Sequence, residues 1–280
     1  MVSFLLEPLA NGFMQRGLAA GVLVAIVCGL LGCFVVLRGM EYIGDAISHS
    51  VLPGVVIAYI AQGNLFLGGL VSALVTAGII SALSREGKLR DSTAIGVVFT
   101  AALALGVLLI STARSYARDL SHFLFGNILG VTEGDLVFTA LLVIFVGAAI
   151  FLFFKELLVT SFDPTHARKI GIPVNALRTG LLITLALTIV AGAQTVGVLM
   201  VTALLITPAA AASLLTKRLP RMIVSATVFA VASVFVGLYA SYYLEVASGA
   251  AIVLSASLIF AVAWVVNWAR QRRAAETVTA

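Results

Sequence analysis

Asp45 and His49 stand four residues apart in Gly44-Asp45-Ala46-Ile47-Ser48-His49, within a run from Tyr42 to Gln62 that is otherwise apolar. At helical pitch this spacing puts both side chains on one face, with Cβ atoms about 6 Å apart, so that one cation can touch both. Pro53 offers no N–H to the carbonyl of His49, and Gly54 follows it. A helix continuing through Pro53 therefore frees a carbonyl oxygen beside the pair. Carboxylate, imidazole and carbonyl suit Mn²⁺, Zn²⁺ or Fe²⁺ and lack the thiolate that favours copper. Two plainer readings compete: the pair bonds to itself or to a neighbouring helix, or Asp45 reaches toward Arg38. Ionisable groups within a membrane span are costly and generally face the protein interior, where they mark ion or proton paths. A proton relay would use the same two groups, so their chemistry alone ends at a cation pathway. Small Gly44, Ala46 and Ser48 predict close approach of another helix.

The elements that must hold this pair follow from composition. Hydrophobic residues make up 61% of the 280 and charged residues 10%, against about a quarter charged in a soluble domain, which excludes an ordinary water-soluble fold. Charge-free runs of roughly the 20 residues needed to cross a bilayer recur along the chain. They are Gly17 to Leu37, Leu65 to Ser84, Ser92 to Ala113, Leu136 to Phe154, Met222 to Leu244 and Val246 to Ala269, besides Tyr42 to Gln62. Thr179 to Thr216 is long enough for two crossings, broken near Gly192, Ala193 and Gln194, or for a re-entrant hairpin. The prediction is an all-α, polytopic bundle of nine spans, or eight, forming one transmembrane domain over residues 1–280. The first apolar run begins after Arg16 and reads as a span, not a cleavable leader. Cys28 and Cys33 lie on different faces of that span and read as small buried residues.

Charge orients the bundle. Arg38; Arg85, Lys88 and Arg90; Lys155, Arg168, Lys169 and Arg178; Lys217, Arg218 and Arg221; and Arg270, Arg272 and Arg273 form five basic groups. Two crossings separate each consecutive pair of groups, so all five fall on one side, which the positive-inside rule makes cytoplasmic. The N-terminus is then outside and the C-terminus cytoplasmic, in a multi-pass protein of the cell membrane. The net charge of +5 is thus topological and does not point to nucleic acid. Leu120 to Val131 is too short to cross and is expected to lie against the outer face. His122 and Asp119 are placed there as ordinary loop residues or as attractors for an incoming cation. Pro208 is expected to kink its helix and free the carbonyl of Leu204.

The longest internal loop, about 155–178, contains Asp163-Pro164 and, further on, Gly171 and Pro173. Asp before Pro starts a helix and Gly then Pro stops one, which predicts about two turns of helix on the cytoplasmic face. No G-x-x-x-x-G-K-[ST] phosphate loop occurs anywhere. A nucleotide-driven process would therefore need its motor on a separate polypeptide, and this loop is the place for it to dock.

With these residues in view, the chain resembles the permease subunits of ABC-type metal importers, the ABC-3 family of manganese, zinc and iron uptake. The most specific stretch runs from Gly44 to Gly54 and resembles the family's second-helix signature. Asp91 to Gly96, Leu124 to Asn127, and Thr195 to Leu199 through Thr207 to Ala209 also look like family blocks. The resemblance implies Asp45 and His49 as ligands of a transported metal, manganese before zinc or iron, with no permanently bound cofactor. Asp163, Ala167 and Gly171 resemble the family's coupling helix and imply docking of an ABC ATPase. The implied unit is two permeases with two ATPases and an extracytoplasmic metal-binding protein, the permease itself being no enzyme. Glu41 departs from the family pattern and is either a second carboxylate near the path or a surface charge. A secondary or proton-coupled metal transporter is the competing class.

Overall fold

The computed structural model describes residues 7–84, 91–112 and 128–279. Among these, nine helices are long and apolar enough to cross a membrane. In chain order they are α1 (Gly12–Leu37), α2 (Ile43–Ile60), α3 (Leu65–Leu83), α4 (Asp91–Thr112) and α5 (Glu133–Leu152), followed, after two short helices, by four more. The short ones are α6 (Phe154–Phe162) and α7 (Pro164–Lys169). The remaining crossings are α8 (Val174–Val196), α9 (Val198–Leu215), α10 (Leu219–Leu244) and α11 (Ser248–Thr279). No strand occurs among the described residues.

Lipid is as apolar as leucine, so membrane helices associate through close packing more than through burial of apolar surface. The centre of the bundle follows that rule. α1 packs on α5, α8, α9 and α10 and buries small residues around much of its circumference, among them Ala20, Gly21, Ala25, Cys28, Gly29, Gly32 and Cys33. Both cysteines are free and buried, as read from the sequence. The thiol of Cys28 points to the carbonyl of Val201 on α9, with S···O at 3.7 Å. By contrast, α4 and α5 keep only 22% and 17% of their spanning windows inside the chain, which leaves most of their apolar surface for lipid or another subunit.

The region between Thr179 and Thr216 forms two full helices, but their break lies at Gly197 and not at Gly192 to Gln194. Gly197 has φ +94° and ψ 150°, a conformation essentially confined to glycine. Gly192 serves close packing instead, since a Cβ there would stand 2.7 Å from Cγ2 of Val201 on α9. α8 also begins earlier than expected, at Val174, so the loop read as 155–178 is largely helical. α9 passes unbroken through a buried Pro208. Ile128–Gly130 forms a short 3-10 turn, with Ile128 buried against α1 near Gly21. His122, Asp119 and the block Leu124 to Asn127 lie outside the described residues.

Candidate functional site

α2 is 18 residues long, about 27 Å at helical rise and barely a bilayer core. Asp45 lies in its first turn and His49 one turn further, about 3 and 9 Å from the helix start. The pair therefore lies in the half of α2 nearer Arg38.

Small residues fix which way the pair faces. Gly44, Ala46 and Ser48 are buried, and a Cβ on Gly44 would touch Thr202 and Leu205 of α9 at 3.4 and 3.5 Å. Farther along, Gly54 and Gly68 bring the backbones of α2 and α3 together, where a Cβ on either would run into the carbonyl oxygen of the other. With these sides of α2 taken, the Asp45 side is turned toward α4 and away from the bundle centre.

Asp45 is exposed and His49 half-buried, so within this chain the pair is open on the α4 side. Asp45 lines an open cavity of about 390 Å³ with Tyr42 on one side and Ser92, Thr93, Gly96 and Phe99 of α4 on the other. Tyr42 is 69% exposed beside it. The His49 ring meets Phe99 edge to face, centroids 5.3 Å apart and planes at 66°. α2 continues through Pro53, so the carbonyl of His49 loses its helical donor as expected. The Ser48 hydroxyl is buried without a hydrogen-bond partner among the described residues. Among the described residues, no three His, Cys, Asp or Glu side chains cluster as a metal cage. Asp45 and His49 are the two ionisable side chains that α2 brings to this place. Glu41 is half-buried just before α2 and does not line the Asp45 cavity.

The second candidate constellation has the local geometry its sequence predicts. The Asp163 carboxylate accepts from the N–H groups of Thr165 and His166 at 3.0 and 2.8 Å, with Pro164 opening α7. Gly171 has φ +82°. Its N–H donates to Arg168 O, and that of Ile172 donates to Ala167 O, the double bond of a Schellman stop. Ala167 is fully buried while Thr165, His166, Arg168 and Lys169 face outward. α7 is a short, firmly capped helix with one side seated on the protein and the other free.

Beside α7, at the Arg38 end, lies a polar cavity of about 430 Å³ whose lining includes Arg38, Asp91, Thr160, Arg168 and Arg178. Arg38 donates to Thr160 Oγ1 at 2.8 Å and to Ser161 Oγ at 3.2 Å. Burial first, and the nearby Arg178 charge second, lower its guanidinium to about 10, with Asp91 opposing. It therefore stays cationic near neutral pH. Arg178 donates to the Ser84 carbonyl at 3.0 Å and forms an ion pair with Asp91. In the sequence Arg178 is one of several loop charges and Asp91 opens a separate family-like stretch, with nothing to pair them. Phe99 was likewise missed, because an aromatic residue in a membrane helix carries no signal of what it touches.

A multi-pass helical membrane protein with an ionisable pair on one helix face and a capped helix at one end has the layout of a transport permease. The family model described as the ABC 3 transport family matches residues 10–267. The chain belongs to that family. It is 47% identical to the manganese transport system membrane protein MntC of Halalkalibacterium halodurans, over 92% of this chain and 88% of that protein. It is 38% identical to a probable iron transport system membrane protein of Haemophilus influenzae, over 94% of this chain and 97% of that one. Among solved structures it is similar to PsaBC from Streptococcus pneumoniae in complex with Fab. That match has a TM-score of 0.81 and 40% identity, and covers 94% of this chain and 95% of that one.

Proposed function

We propose that this chain is the permease subunit of an ATP-driven importer of a divalent transition metal, manganese before zinc or iron. The observation that carries this reading is Asp45, a carboxylate on the open side of a membrane-spanning helix. Such a group is not left against lipid, so another protein surface or a water-filled path has to meet it. A second copy of the permease closing over α2 and α4 supplies both. The relatives named for manganese and iron transport support the choice of cargo. The metal is substrate: it arrives from an extracytoplasmic binding protein, rests on Asp45 and His49, and leaves toward the cytoplasm.

Residues 1–280 act as one permease domain, with the five basic groups and the C-terminus cytoplasmic and the N-terminus outside. Residues about 155–178 form the coupling loop, and Asp163, Ala167 and Gly171 build the helix on which the ATPase docks. Asp163 and Gly171 fix its ends, and Ala167 lets it sit close to the protein. ATP turnover in that partner moves α7 and switches the path between outward and inward access. The permease catalyses no chemical step.

Reconstitution in lipid vesicles with the ATPase and the binding protein tests this. The expected result is manganese accumulation that requires ATP. Accumulation of equal rate without nucleotide would establish the competing class, a secondary carrier. Element-by-element analysis of cells lacking the gene decides among the metals, with manganese expected to fall most.

A further inference from the structure

The helix read as the ATPase dock and the wall of the metal path are joined through one side chain. α7 leads through Gly171, Ile172 and Pro173 into α8, where Arg178 stands in the second turn. The guanidinium of Arg178 reaches two elements at once, donating to Ser84 O just beyond α3 and pairing with Asp91, the first residue of α4. A single planar fork thus holds both ends of the α3–α4 connection. A second tie lies alongside, where Ser81 Oγ of α3 and Thr179 Oγ1 of α8 are 2.6 Å apart.

Asp91 begins the stretch that faces the metal pair. The residues after it, Ser92, Thr93, Gly96 and Phe99, line the Asp45 cavity, and Phe99 lies edge-on to His49. The other flank of α7 is tied as well: Thr160 and Ser161, at the end of α6, hold Arg38, which closes α1 five residues before α2 begins. Arg178 differs from Arg38 in pairing with a carboxylate, and both partners are largely shielded, with side-chain exposures of 14% and 28%. Charge-assisted, two-pronged contacts of this kind are directional as well as strong.

We propose that Arg178, through Asp91, is the positioning residue that transmits movement of the α7 docking helix to the α4 wall of the metal path. Neither residue touches the metal in this scheme. Arg178 turns displacement at the start of α8 into displacement of α4, and α4 carries Phe99 against His49. The inference rests on the proposed function, since it needs a docked ATPase and a transported cation.

The test is the amount of manganese moved per ATP hydrolysed by the reconstituted complex, for wild type, Asp91→Asn, Arg178→Gln and the exchange Asp91→Arg/Arg178→Asp. Removing a coupling contact should lower that ratio by ~5-fold or more in each single variant while the complex still hydrolyses ATP. The exchange should recover part of it. An unchanged ratio in both single variants overturns the proposal, because a merely structural pair alters amount and stability but not stoichiometry. If the single variants fail to assemble, Arg178→Lys decides, since it keeps the charge and loses the fork. A lowered ratio in Arg178→Lys supports the proposal and a wild-type ratio overturns it. A wild-type complex that moves no metal with ATP would instead overturn the function reading, and this inference with it.

Discussion

Phe99 packs edge to face against the imidazole of His49, and on the proposed reading it supports that ring without being a ligand. Partners that orient a metal-binding side chain typically matter by 10–100-fold, so Phe99→Ala should slow manganese uptake by ~10-fold while leaving membrane insertion unchanged. Initial uptake rates in vesicles with matched protein content check this, and a rate equal to wild type would remove Phe99 from the account. At this scale the sequence was legible where chemistry is rare. Asp45 and His49 stood out because the span around them is apolar. Phe99, Tyr42 and the Arg178–Asp91 pair did not, because each gains its meaning from residues tens of positions away.

Elements were legible wherever a local rule governs them. Asp163 and Gly171 predicted a short helix, and α7 has those caps. Asp163→Ala removes the acceptor of two N–H groups and should cost about 1 kcal/mol locally. The expected result is weaker retention of the ATPase on detergent-purified permease, checked by co-purification. The break between α8 and α9 was misplaced because Gly192, Ala193 and Gln194 look like a helix interruption, whereas the chain spends Gly192 on contact with Val201 and turns at Gly197. No local pattern separates a packing glycine from a turning one. Gly197→Ala should destabilise the fold by ~1–3 kcal/mol through backbone strain. Gly54→Ala should cost a similar ~1–3 kcal/mol through overpacking against Gly68. Thermal unfolding in detergent compares both with Gly78→Ala, where a Cβ meets nothing within 4 Å.

For the whole molecule, the nine spanning helices among the described residues were readable, because bilayer thickness acts on the sequence directly, while the basic groups predict one shared side. The structure agrees in bringing Arg38, Arg168 and Arg178 to one end of the bundle, around a shared polar cavity. The direction faced by Asp45 was not readable. Helical spacing shows that Asp45 and His49 share a face, but which face is buried depends on Gly44 meeting Thr202 and Gly54 meeting Gly68. On the proposed reading a second permease covers that open side, so cysteines placed at Tyr42 on both copies should cross-link in membranes. The most direct measurement is the initial rate of ATP-dependent manganese uptake by vesicles containing the complete complex with Asp45→Asn/His49→Gln. Uptake at background, with the complex assembled and ATP hydrolysis retained, is the predicted result. Uptake at the wild-type rate would contradict the central claim that the metal passes by way of this pair.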